Sequence, residues 1–186
     1  MTAESAQSAR SAQSAAAGPR ITRALPGAED RAAANARMIA ILSKPDPGPV
    51  AEHLALLHFT GRRSGRLLVV PAGVHRLDGR LVVATGSAWR HNFAGGADGG
   101  LTWRGRRSPA RFELITDPEL TARGYLELYE RYGPEAGRRR LGIAVTAQPT
   151  LDDFRAAVAD APLALVAVSA DLGDTTELAM NERTSR

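Results

Sequence analysis

The chain has 186 residues, 44% of them hydrophobic and 24% charged, enough apolar surface for one ordinary domain and too much for a wholly disordered chain. It contains no cysteine, which excludes disulfide scaffolds, thiol catalysis, iron–sulfur clusters and cysteine-ligated zinc. The net charge is +4, but 60–111 holds ten arginines against Asp78 and Asp98, a local +8 inside a remainder of 14 basic and 18 acidic residues, which favours a local anion site over a uniformly sticky surface.

In chain order, 1–26 reads as a disordered tail. The near-repeat at 5–9 and 11–15 carries no aromatic or branched aliphatic residue, and Gly18-Pro19 follows it. No run approaches the ~18 apolar residues needed to span a bilayer, and no apolar stretch follows Met1. A cytoplasmic protein without stable membrane association is expected. Over 29–43, Ala34, Met38, Ile41 and Leu42 fall on one stripe of a helix, which Pro45, Pro47 and Pro49 stop.

Strand signals come next. The apolar run 50–59 and the Val- and Leu-rich 67–74 are the first two, with Pro71 demanding an edge or a bulge. Asp78-Gly79 predicts a type I′ hairpin with 80–85 as the return strand. A second hairpin around Gly105 joins 101–104 to 110–116, where Phe112 and Leu114 alternate with Arg111 and Glu113. The glycine-dense 95–100 reads as a flexible turn.

The period then lengthens. Asp117 as N-cap and Pro118 at N1 open a helix with Tyr125, Leu128, Tyr129 and Tyr132 on one face, ended by Gly133-Pro134. Thr150 and Asp153 form a capping box for another, with Leu151, Phe154 and Val158 as its stripe. A buried strand at 163–168 precedes a polar tail, 172–186. Strands joined by hairpins between helices predict an α+β fold, a small antiparallel split β-barrel over 27–171 with flanking helices.

The common phosphate-loop, dinucleotide, zinc-protease and serine-hydrolase motifs are absent. His53 and His58 make a poor metal pair, and His75 reads as a surface residue, so no metal site is expected. Nucleic acid is disfavoured as a partner, because only 5% of residues are aromatic and no recognition helix is evident. The positive signal is Thr60-Gly61-Arg62-Arg63-Ser64-Gly65-Arg66. Its glycines free the backbone for a tight turn with converging N–H groups, and its arginines and hydroxyls suit phosphate or carboxylate oxygens. Read alone, it is rather a solvated basic hairpin loop. A second cluster is Thr85-Gly86-Ser87-Ala88-Trp89-Arg90-His91-Asn92-Phe93, either a pocket rim or a short helix whose Trp89 and Phe93 enter the core.

The order of these pieces resembles the deazaflavin-dependent nitroreductase family of actinobacteria, split β-barrel proteins related to the flavin-binding pyridoxamine-phosphate-oxidase-like fold. The resemblance rests on T-G-R-R-S-G at 60–65, a strand ending in Pro71, the Asp78-Gly79 hairpin, the apolar strand 81–84, Trp89 to Asn92 and an apolar strand near the end. It spans about 30–169. It implies binding of coenzyme F420, with Arg62, Arg63 and Ser64 on the phosphate and acidic tail and Thr85, Gly86 and Ser87 along the coenzyme. Trp89 and Asn92 would shape the adjoining pocket. Hydride transfer to a small conjugated, quinone-like or nitro-aromatic substrate would follow, with His91, Tyr129 and Tyr132 as candidate catalytic or wall residues in a monomer or homodimer. One departure stands out: only Ala88 separates Ser87 from Trp89, where many members carry a longer glycine-rich loop. FMN in place of F420, or no coenzyme and a recruited non-redox cyclase or tailoring chemistry in secondary metabolism, therefore stays open.

Overall fold

Proline, glycine and turn chemistry lay out most of the element boundaries. The computed structural model describes residues 20–24 and 28–171; the expectations for 1–19, 25–27 and 172–186 lie outside them. Helix α1 (Ala28–Leu42) packs through its last turns, where Leu42 is covered and Met38 and Ile39 pack beside Ala51 and Leu56. Ala34, on the expected stripe, is exposed. The expected strand over 50–59 begins late. Pro49–Glu52 is a 3-10 turn instead, because Pro49 sits at its start with φ preset for helix and Gly48 ahead of it has φ 71°.

Six strands form a closed, wholly antiparallel barrel: β2 (Leu54–Thr60), β3 (Leu67–Leu77), β4 (Arg80–Thr85), β5 (Ala97–Trp103), β6 (Arg106–Leu114) and β8 (Ala164–Ala170). They follow the order β2-β3-β4-β8-β6-β5, and β5 returns to β2. Asp78 and Gly79 have φ of 48° and 73°, and Arg104 and Gly105 have 51° and 75°. Both hairpins thus have the two positive φ values of a type I′ turn. Pro71 pairs with Leu56 of β2, while β4 joins β3 only from Val74 onward. The missing N–H therefore falls where β3 has a neighbour on one side only.

The glycine-dense stretch is a turn only in its first half. Gly95 and Gly96 have φ of 77° and 84°, but Gly99 and Gly100 lie inside β5. There β5 closes the barrel against β2, with His58 opposite Gly100 and Leu57 opposite Leu101. A Cβ on Gly99 would run into the His58 carbonyl oxygen and stand 3.0 Å from the Phe112 ring, so the seam requires glycine at that position.

Barrel side chains serve two cores. Leu57, Phe59, Leu81, Val83, Phe112, Val166 and Val168 belong to one cluster, into which Phe93 inserts. Val82 and Leu165, facing the other way, join Tyr125, Leu128, Tyr129, Ile143 and Phe154 beneath the helices. Burial of both faces explains why 81–84 and 163–168 read as unbroken apolar runs.

Helix α2 (Pro118–Leu141) is capped by Asp117, whose side chain accepts from the backbone of Glu119 and Leu120. Gly133-Pro134 kinks α2 rather than ending it: Gly133 leaves helical geometry at φ 76°, and Pro134 starts a second stretch reaching Leu141. Thr150 and Asp153 cap α3 (Leu151–Asp160) reciprocally, as expected. Composition alone puts 21–23 in the tail. The structure instead makes β1 (Ile21–Arg23), paired antiparallel with β7 (Ile143–Val145), with Ile21 buried.

Gly99→Ala should destabilise the protein by roughly 1–3 kcal/mol through forced backbone movement. Gly100→Ala, whose Cβ would meet only the Arg107 side chain at 3.4 Å and Ser108 O at 3.6 Å, should cost less than about 1 kcal/mol. Urea unfolding of the two variants checks the contrast, and equal losses would contradict the role given to the seam.

Candidate functional site

The antiparallel seam between β2 and β5 places the loop after β2 beside the segment that leads into β5. The first is 61–66; the second is the 3-10 turn Ala88–Phe93 and the residues after it. The Arg62 backbone N–H donates to Asn92 Oδ1 at 2.9 Å, and the Arg62 guanidinium donates to the Ala94 carbonyl at 2.7 Å. Asn92 in turn donates through Nδ2 to the Trp89 carbonyl at 2.7 Å. The two motifs therefore meet, and Arg62 and Asn92 are the clasp that joins them.

The loop's remaining donors can be counted. Gly61 N–H goes to the Arg66 carbonyl and Gly65 N–H to the Gly61 carbonyl, both at 2.8 Å, while Arg66 N–H reaches Ser64 Oγ at 3.3 Å. Thus the glycine N–H groups close the turn and are not themselves available to an anion. Gly65 suits its φ of 65°, and a Cβ on Gly61 would lie 2.7 Å from Ser64 Oγ and displace that side chain. The consecutive N–H groups of Arg63 and Ser64 have no intramolecular partner among the described residues, and neither do the Arg63 and Arg66 guanidiniums. These exposed donors are free for an anion. Thr60, at the loop's base, lines a cavity of about 340 Å³ with His58, Arg107 and Ser108. His58 Nε2 lies 2.8 Å from Thr102 Oγ1, and burial, then Arg107, lowers its pKa.

The aromatic segment takes a middle course between the two readings open in the sequence. Phe93 is fully buried, with its ring edge-on to Phe59 at 4.8 Å. Trp89 is half-buried, its ring 6.2 Å from Phe59 and 5.8 Å from Phe93. It leans on the core with part of its surface still open. His91 is exposed.

Thr85, Gly86 and Ser87 lead into this segment and are held from below. The buried Tyr125 hydroxyl donates toward the carbonyls of Ala164 at 3.2 Å and Thr85 at 3.4 Å, and burial pushes its pKa up. Arg90 donates to the carbonyls of Gly86 and Ser87, both at 3.0 Å. Thr85 Oγ1 accepts from Ser87 N–H at 3.1 Å. A Cβ on Gly86 would collide with the Arg23 guanidinium and the Pro162 carbonyl, so this backbone is already in close contact with protein.

The two tyrosines separate. Tyr129 is buried against Phe154 and Gly137 and is no wall of a substrate pocket. Tyr132 is half-buried and shares a 2.9 Å hydrogen bond with His75 Nδ1, while Arg140 stands 4.6 Å over its ring. His75, expected at the surface, is only 4% exposed. It lies in the stretch of β3 that the kinked α2 covers, a placement its neighbours in sequence do not announce. Among the described residues no group of three or more His, Asp or Glu is placed to hold a metal ion, and no helix is long and apolar enough to cross a membrane.

No protein-family model matches the sequence, and no match was found among curated proteins. Among solved structures the chain is similar to an FAD and heme binding protein from Mycobacterium smegmatis. The identity is 20%, over 88% of this chain and 80% of that one, with a TM-score of 0.35. A likeness this loose bears on neither ligand nor chemistry.

Burial, reinforced by Arg140, His53 and Arg131, pushes the His75 pKa down to about 4. Below its ordinary value near 6.5 the unfolded chain takes up a proton that folded His75 refuses, so stability falls as pH drops from 6.5 toward 4. At pH 5 the loss from this residue is about 2 kcal/mol relative to pH 7. Urea unfolding of the wild type and His75→Gln at both pH values should show the variant losing less on acidification. A difference between the two proteins that does not change with pH would contradict this.

Proposed function

We propose that the protein is an oxidoreductase that binds coenzyme F420 through the 60–66 loop and passes hydride between it and a small conjugated, quinone-like or nitro-aromatic substrate. The reading rests on the sequence resemblance, and one structural observation supports it above the others: the hydrogen bond from Arg62 N–H to Asn92 Oδ1. That bond brings the basic loop and the tryptophan segment together, as a coenzyme with an anionic tail and a ring system requires.

The free donors fit such a tail. Two adjacent N–H groups, the Ser64 hydroxyl and the guanidiniums of Arg63 and Arg66 suit phosphate oxygens, and they lie in the most basic part of the chain. Arg62 has a different task from the other arginines, because its guanidinium is held by Ala94. When bound, the coenzyme supplies the hydride chemistry. The chain's own work is to grip the tail, keep Trp89 in place through Asn92, and fix Thr85 to Ser87 through Tyr125 and Arg90 so that the partners stay aligned.

The short Ser87-Ala88-Trp89 junction supports a second reading, because the 3-10 turn begins at Ala88 and leaves no longer loop to cover a coenzyme. FMN, or a non-redox reaction with His91 or a tyrosine as proton carrier, is the corresponding alternative.

Fluorescence polarisation of F420, with FMN titrated in parallel, separates these readings. F420 should bind the wild type, and Arg63→Ala combined with Arg66→Ala should weaken binding by tenfold or more without altering stability. Unchanged affinity in that double variant would overturn the assignment of the loop. Tighter binding of FMN than of F420, or turnover that needs neither, would overturn the choice of coenzyme.

A further inference from the structure

A second basic site lies where β1, β3 and the end of α2 meet. It is a cavity of about 330 Å³, near the lower end of the range for small-molecule pockets. Its polar side chains are Arg23, His53, His75, Thr85, Arg139 and Arg140, with apolar and backbone surface between them. No carboxylate lines it. Among the described residues none of the three arginines takes part in an ion pair.

Two buried polar atoms here have no partner: Arg23 Nε and His75 Nε2. His75 is anchored from its other nitrogen by Tyr132, so its ring cannot turn to satisfy Nε2 without breaking that bond. A Cβ on Gly73, a wall residue, would stand 3.4 Å from the same Nε2. The Arg140 guanidinium contacts His53 Nε2 at 2.9 Å and lies over the Tyr132 ring, which orients it. Burial holds Arg23 below the usual guanidinium value, with Arg90 and Arg31 adding repulsion against an opposing effect from Tyr125.

Basic residues in the last turn of α2 complement the negative end of its dipole. That accounts for Arg139 and Arg140 but not for Arg23, which arrives from another element, nor for the orphaned imidazole nitrogen. Converging cations with unmet donors and no internal counter-charge are costly when desolvated, and an oxyanion relieves both costs.

We propose that this cavity binds a small ligand through a carboxylate or phosphate group, gripped by Arg23 and Arg140 with His75 Nε2–H as a further donor. That role requires the Tyr132 hydroxyl to donate to Nδ1, which leaves the imidazole proton on Nε2. Thr85 is the one residue shared with the positions that the resemblance assigns to coenzyme. The proposal stands without the F420 reading, because the 60–66 loop contributes nothing to this cavity.

The test is calorimetry and thermal unfolding of the full chain with inorganic phosphate, with succinate and with uncharged succinamide, at ionic strength held constant with chloride. Phosphate or succinate should raise the melting temperature and bind with a measurable Kd, and succinamide should do neither. A response to phosphate alone assigns a phosphate ligand, and a response to succinate alone a carboxylate. Arg23→Gln and Arg140→Gln should each weaken binding at least tenfold, while Arg63→Ala combined with Arg66→Ala should leave it intact. Arg140→Gln is the safer variant, since Arg23 packs on Gly86. The proposal is overturned if neither anion binds above the chloride background. It is equally overturned if binding survives in Arg140→Gln and is lost in the loop variant.

Discussion

Closure of the barrel between β2 and β5 is the constraint on which the rest depends. The two strands can approach only because position 99 has no side chain, and their antiparallel register is set by Leu56, Leu57 and His58 opposite Thr102, Leu101 and Gly100. Once that register is fixed, the chain leaving β2 and the chain entering β5 must lie together at one end of the barrel. The basic loop and the tryptophan segment are one such pair of ends, so the topology brings them within reach of the clasp through Arg62 and Asn92. Phe93 then plugs the same end from inside, which ties the segment's position to the barrel core.

What was legible in the sequence was local. Asp78-Gly79, Asp117-Pro118 and the Thr150/Asp153 box each specify their geometry within four residues, and each forms as read. Features that depend on distant partners were not. The strand Ile21–Arg23 exists because Ile143–Val145 pairs with it, more than a hundred residues away, and three residues carry no periodicity. Gly133-Pro134 has the composition of a helix stop, yet packing of Leu141 and Gly137 beneath draws the chain back into helix. Gly99 looks like a turn residue because a close approach between strands demands the same residue as a positive φ.

The site divides along the same line. The 60–66 motif was visible as a run of residue types, but the division of labour inside it was not. Arg62 and Asn92 serve the architecture, whereas Arg63, Ser64 and Arg66 keep donors free, and only the hydrogen-bond pattern separates the two sets. The second basic cavity could not be read at all, because Arg23, His75 and Arg140 come from three elements far apart in the chain. The basic residues thus form two local concentrations with different neighbours, one exposed on a loop and one around a cavity where β1, β3 and the end of α2 meet.

The central claim is that the free backbone donors of the loop meet an anionic coenzyme. An amide-resolved NMR titration of the intact protein with F420 tests it most directly, because it reads the N–H groups themselves. The account predicts that the Arg63 and Ser64 amides shift the most within the loop, while those of Gly61 and Gly65, committed inside the turn, respond less. Saturable binding that leaves the Arg63 and Ser64 amides unmoved would contradict it.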